Sequence, residues 1–208
     1  NVCEGCCSST WEGVAMLEEN RSALKEWVVV ARALGTGRQT LLLRKGGIHE
    51  RRGEFEVEHP EFFVFPTYLH QNRQDLRPEC HEELARAEVS RPGAGLVSID
   101  YYAMVKEVFQ VTDLALLKPL EGEHILSWSA VEQRFFYRGR PGLHVLLARM
   151  YQLPQPLTIP TTARYDGCVS WIELDQPLPT AGGRPVLSEI EFRRRREAIR
   201  RTLAPAAA

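Results

Sequence analysis

Residues 44–71, "RKGGIHERRGEFEVEHPEFFVFPTYLHQ", gather cations, carboxylates and three histidines around glycine breaks. Arg44 and Lys45 end an apolar run, and Gly46 and Gly47 follow. A glycine pair lets the backbone turn tightly and present its N–H groups, and an adjacent lysine then completes a cradle for phosphate. A plain turn explains the same residues, because no G-x-x-x-x-G-K-[ST] pattern and no immediate helix start accompany them. Glu56, Glu58, His59 and His70 add carboxylates and imidazoles, which suit a divalent ion or acid–base work near neutral pH. On a regular strand Glu56 and Glu58 share one face while Val57 and His59 share the other, so Glu58 and His59 do not chelate one ion. Pro60 keeps His59 extended. Glu58, His59 and His70 are therefore candidate catalytic residues, with hydrogen-bonded structural histidines as the competing explanation. Thr67, Tyr68, His70 and Gln71 then place polar groups just past an apolar strand, on a loop held by a rigid core, where binding residues tend to lie. A loop made polar for solubility accounts for them as well.

The elements that must position these groups follow from periodicity and punctuation. Residues 26–34, "EWVVVARAL", are β-branched and apolar, and "GTG" separates them from "RQTLLLRKGG". That pattern predicts a hairpin of two strands. "EFFVFPT" predicts a short buried strand, and "RQDLRPECHEELARAE" a helix with Pro78 near its start. After the turn "RPGAG", Val97, Ile99, Tyr101, Ala103 and Val105 alternate, which predicts a long strand. Ser129 with Glu132, and Ser188 with Glu191, form two capping-box patterns, each opening a helix. "PGLHVLLARMYQL" alternates as a strand, and "LPQPLTIPTTARYDG" reads as a proline-punctuated connection. The sum is an α+β fold with a mixed or antiparallel, barrel-like sheet and about three helices. Residues 22–178 read as a single domain. Residues 1–21 read as a disordered or foreign extension, and 179–208 as a linker and an arginine-rich helix.

Bulk composition excludes little. The net charge of −1 supplies no global attraction to nucleic acid or acidic membranes, so such a partner needs a local basic patch. No apolar run is long enough to span a membrane, and the absence of a visible signal makes the cytoplasm the default. Cys3, Cys6 and Cys7 resemble half a zinc site, with Cys80 and His81 as the one available second pair. Trp27, Trp128 and Trp171, with Tyr101, Tyr102, Phe135, Phe136 and Tyr137, serve either as stacking platforms or as core. The helix "FRRRREAIRR" presents either phosphate contacts or a solvated charged face. Patterns for a D…(D/E)-x-K nuclease, a Nudix hydrolase and a G-x-S-x-G hydrolase are incomplete or missing.

Five segments carry a family resemblance: "ALKEW", "LLLRKGGI", "FEVEHPEFFVFPTYLHQ", "ILSWS" and "RYDGCVSWIEL". Together, over about residues 22–175, the chain resembles the domain of unknown function 1802 family of bacteria and archaea. The resemblance implies no activity, cofactor or metal. Three readings stand beside it. In the first, a nucleic-acid-associated domain, Arg44, Lys45, Arg51 and Arg52 meet phosphates and an aromatic or His70 meets a base, with Gly46, Gly47, Thr67, Tyr68 and Gln71 as further binding candidates. The second is a hydrolytic enzyme using Glu58, His59 and His70, with or without a metal. The third is a protein-interaction subunit presenting residues 97–110 as an edge strand.

Overall fold

The computed structural model of the 208-residue chain describes residues 6–10, 15–45, 50–51, 54–55, 59–167 and 169–204. In chain order the first half contains β1 (Cys6–Thr10), β2 (Glu19–Trp27), α1 (Val28–Gly35), β3 (Leu41–Arg44), β4 (Glu50–Arg51), β5 (Glu54–Phe55), β6 (Glu61–Thr67) and α2 (His81–Val89). The second half contains β7 (Leu96–Val111), α3 (Trp128–Phe135), β8 (Leu143–Pro160), β9 (Trp171–Pro179), β10 (Arg184–Pro185) and α4 (Glu189–Leu203). A 3₁₀ segment, Leu114–Glu123, precedes α3.

Eight of these strands form one mixed sheet in the order β10-β8-β7-β6-β2-β9, with β1 also on β7 and β3 also on β8; β4 and β5 pair separately. Among the described residues the path is open and does not close into a barrel, which corrects the barrel-like part of the expectation. The pair β2–β6 is parallel, with Trp27 opposite Thr67, so both strands deliver the chain to the same end of the sheet. Strand β7 matches the span predicted from its alternation, but it lies between β6 and β8 and so is no edge strand. Register shifts between Ile99 and Tyr101 and between Val105 and Glu107 bend it; one edge pairs with β8 throughout, and the other meets β6 at Tyr102–Met104 and β1 at Glu107–Val111. The second shift skips Lys106, and Glu107 just after it is fully buried.

The uninterrupted apolar run of β6 follows from burial on both faces. Phe62 and Val64 join the large core with α1, α2, α3 and α4. Phe63 and Phe65 join a smaller core on the opposite face with Tyr102, Met104 and Tyr165.

The hairpin expected over residues 26–47 is not formed. Val28–Gly35 is a helix, and the strand lies just before it. β-Branched residues favour strands only modestly. Val28, Val29, Val30, Ala31, Ala33 and Leu34 are all buried here, so packing around the whole helix decides its conformation. Gly35 is required by contact: a Cβ there would lie 2.0 Å from the Tyr101 ring.

Helix α3 starts two residues earlier than its capping-box pattern indicates. Ser127, not Ser129, is the N-cap, with Oγ accepting from the Ala130 N–H at 3.3 Å. The second box behaves as read: Ser188 Oγ accepts from the Glu191 N–H at 3.2 Å. Strand β8 runs on through "LPQPLTIP", which reads from sequence as a connection. Residues 6–10 pair with β7, β2 begins at Glu19, and Phe192, Ile199 and Leu203 of α4 enter the large core.

Candidate functional site

The chain end of β3 and the loop leaving β6 meet at one place, the junction between β2 and α1. Glu26 is the last inward side chain of β2 and is 6% exposed. Its Oε2 accepts from Arg44 Nη1 at 2.8 Å, and its Oε1 accepts from the Trp27 N–H at 3.0 Å. Arg44 Nη1 also donates to the Lys25 carbonyl at 3.3 Å. From the other side, Thr67 Oγ1 donates to the Glu26 carbonyl at 3.2 Å. Gln71 Oε1 accepts from the Val29 N–H at 3.4 Å, in the first turn of α1.

That helix start has no cap or acid of its own and borrows the Gln71 amide. Its N-cap is Trp27, which provides no side-chain hydrogen bond, and its first turn carries no acid. Free N–H groups and the helix dipole make such an end partially positive. Arg134, reaching over from α3, increases the positive charge. Its guanidinium lies 5.1 Å over the Trp27 ring and donates through Nη1 to the Leu43 carbonyl at 3.3 Å. Among the described residues it makes no ion pair. Burial, then the Arg44 charge, lowers its pKa from the usual arginine value, and Glu26 and Asp75 oppose them. Two guanidiniums and a helix start thus face the buried Glu26 carboxylate, with Asp75 acting on Arg134 as well.

The remaining sequence-predicted residues separate. Lys45 Nζ donates to the carbonyls of Phe135 at 2.6 Å, Gly142 at 2.8 Å and Arg140, tying down the loop after α3. Burial, then the Arg140 charge, lowers its pKa. Tyr68 lies beneath the Arg91 guanidinium at 5.0 Å, and burial raises its pKa. His70 is exposed and holds a left-handed backbone, φ 59°.

His59 sits at the opposite end of β6, its Nδ1 3.1 Å from Ser22 Oγ and its ring 5.2 Å from that of Trp171. Seven strand residues intervene, so His59 and His70 lie about 20 Å apart along the sheet. Gly46, Gly47, Glu56, Glu58 and Arg52 lie outside the described residues, as does the Arg51 side chain.

Cys80 is buried, accepts from Arg38 Nη2 at 3.2 Å, and has its pKa raised by burial, while His81 Nε2 contacts the Leu76 carbonyl at 3.2 Å. No group of three or more metal-ligating side chains occurs among the described residues. No described helix is long and apolar enough to cross a membrane.

Sequence reading missed Glu26 and Arg134. The available signal was Glu26 itself, a charge at the head of a run that otherwise looks like a buried strand. Two histidines border the site. His144 stands opposite Arg44 in the β3–β8 ladder, and burial, then Lys45, lowers its pKa to about 4. His124 is 1% exposed, and burial, then Arg77, likewise lowers its pKa to about 4. The loop after Gln71 continues to an open cavity of about 490 Å³ lined by Arg77, Glu79, Glu121, Ser127 and Trp128. Lys118 covers the Trp128 ring at 4.4 Å.

Among solved structures the chain is similar to ASCH from Zymomonas mobilis, at 17% identity and a TM-score of 0.45, covering 74% of this chain and 87% of that one. Tyrosine-to-phenylalanine and serine-to-alanine mutants of that protein match at 17% and 16% identity, both with a TM-score of 0.43. The first covers 74% of this chain and 90% of its own, the second 77% and 92%. No curated protein matches the chain. The model of one family, described as "Domain of unknown function (DUF1802)", matches residues 23–198, and the chain belongs to that family.

Proposed function

We propose that this domain binds nucleic acid, with backbone phosphates held at the β2–α1 junction by Arg44, Arg134 and the positive end of the α1 dipole. The observation that carries the reading is an arginine without an ion pair. Arg44 pairs with Glu26, whereas Arg134 lies near Glu26 and Asp75 and forms an ion pair with neither among the described residues. A phosphate oxygen accepts from guanidinium groups and gives the half-buried Arg134 a direct counter-charge. Thr67 and Gln71 shape the rim. The distance between His59 and His70 favours binding over hydrolysis, because one substrate bond cannot lie within reach of both.

Fluorescence anisotropy with single-stranded RNA and DNA oligonucleotides tests this. Binding is expected at about 50 mM salt and should weaken at least tenfold by about 200 mM, as phosphate contacts require. Absence of binding to both polymers at the lower salt, or affinity indifferent to salt, overturns the reading.

A further inference from the structure

We infer that residues 136–140, the loop leaving α3, form a base-stacking platform that makes this domain select single-stranded nucleic acid. The inference rests on the phosphate-binding reading above and adds what lies between the phosphates. Phe136 and Tyr137 are 52% and 54% exposed, two adjacent aromatic rings turned to water. The rest of the loop is firmly held. Phe135 is buried and meets Phe136 edge to face at 5.0 Å. Lys45 gathers the carbonyls of Phe135, Arg140 and Gly142. The Gly142 N–H returns to the Phe135 carbonyl at 3.1 Å, closing the loop at its base.

Arg138 holds φ 58° and Gly139 φ 67°, so the backbone passes through two consecutive left-handed positions. A non-glycine residue seldom adopts that conformation unless its surroundings impose it. Rings exposed on a fixed backbone lose little freedom when another flat ring stacks on them.

Charge selects the occupant. From Gln133 to Leu143 the chain contains Arg134, Arg138 and Arg140 and no carboxylate. The Arg138 guanidinium lies 5.2 Å from the Tyr137 ring centroid. Arg134, which makes no ion pair among the described residues, precedes Phe136 by two residues. The phosphate and stacking candidates thus belong to one short segment, residues 134–140. A duplex hides the faces of its bases, while a single strand offers them to aromatic side chains.

The test compares three probes by anisotropy: a thymidine DNA strand of about 15 nucleotides, an abasic strand of the same length, and a duplex. The wild-type protein should bind the base-bearing strand roughly tenfold or more tightly than the abasic one, and more tightly than the duplex. The Phe136→Leu/Tyr137→Leu variant, which keeps apolar bulk without a flat ring, should bind both strands as the wild type binds the abasic strand. Circular dichroism checks its fold, and Tyr137→Leu alone, with a partial loss, replaces it should the pair fail to fold.

Equal affinity of the wild type for both strands removes the platform and leaves the phosphate site standing, as does full discrimination in the variant. Absence of binding to either strand removes the phosphate site, and the platform with it. Competition by a poly-glutamate peptide as effective as that by the thymidine strand assigns the rings to an acidic protein partner instead and overturns the inference.

Discussion

Two places in this molecule set a pair of arginines around one buried glutamate, and they do different things with it. At β7, Glu107 is fully buried and meets Arg196 at 2.5 Å and Arg200 at 3.3 Å, both from α4. Both cations reach the carboxylate, and they come from the C-terminal half of a helix, where the dipole favours positive charge. At the β2–α1 junction Glu26 pairs with Arg44, while Arg134 rests on Trp27 beside a helix start, where the dipole disfavours it. The first arrangement is closed and fastens the C-terminal helix. The second leaves Arg134 near Glu26 and Asp75 but without an ion pair among the described residues. Arginine content alone does not distinguish them, because the arginine-rich helix turns Arg196 onto a buried carboxylate, with the exposed Arg200 beside it.

Substitutions and pH separate the two further. The largest effect is expected from Glu107→Gln, which removes the buried charge that holds half-buried Arg196 and exposed Arg200 and should destabilise the fold by roughly 3–5 kcal/mol. Urea denaturation measures this, and a loss within experimental error would show that the clamp does not hold α4.

Acidification probes the other region. His124 and His144 have folded-state pKa values of about 4, below the ordinary 6.5. The unfolded chain takes up these protons first, so stability is full above pH 6.5 and declines as pH falls from there to about 4. The loss is on the order of 3 kcal/mol per histidine. His124→Phe and His144→Phe variants should flatten the urea midpoint between about pH 7 and pH 4.5; an unchanged slope in both would sink this account.

Gln71→Ala removes the acceptor at the start of α1 and should cost about 1 kcal/mol. The smallest effect on stability belongs to Arg134→Gln, within about 1 kcal/mol of wild type, because no ion pair is broken. The same change should lower the slope of log affinity against log salt by about one, if Arg134 contacts phosphate. A large loss of stability there would mean that Arg134 is structural, like Arg196.

Much of the sheet was legible in advance. Strand β7 follows from alternation, β6 from a short apolar run ended by Pro66, and α4 from Ser188 and Glu191. The strand–helix junction was hidden because Val28–Val30 carry strand propensity into a helix. The start of α3 was displaced because Ser127 and Ser129 offer equivalent hydroxyls, and only the approach of the chain selects one. Glu107 breaks an otherwise apolar stretch, and only the tertiary structure shows that Arg196 and Arg200 meet it there.

By itself the sequence determined the α+β class, the strands whose side-chain period matches their burial, and the capped C-terminal helix, because each is encoded among residues a few positions apart. Tertiary structure alone decided that Val28–Gly35 is a helix and that Glu26, Arg44 and Arg134 meet. Burial around an entire helix, and the balance of charges drawn from distant segments, depend on what packs alongside, and no local spacing carries that information.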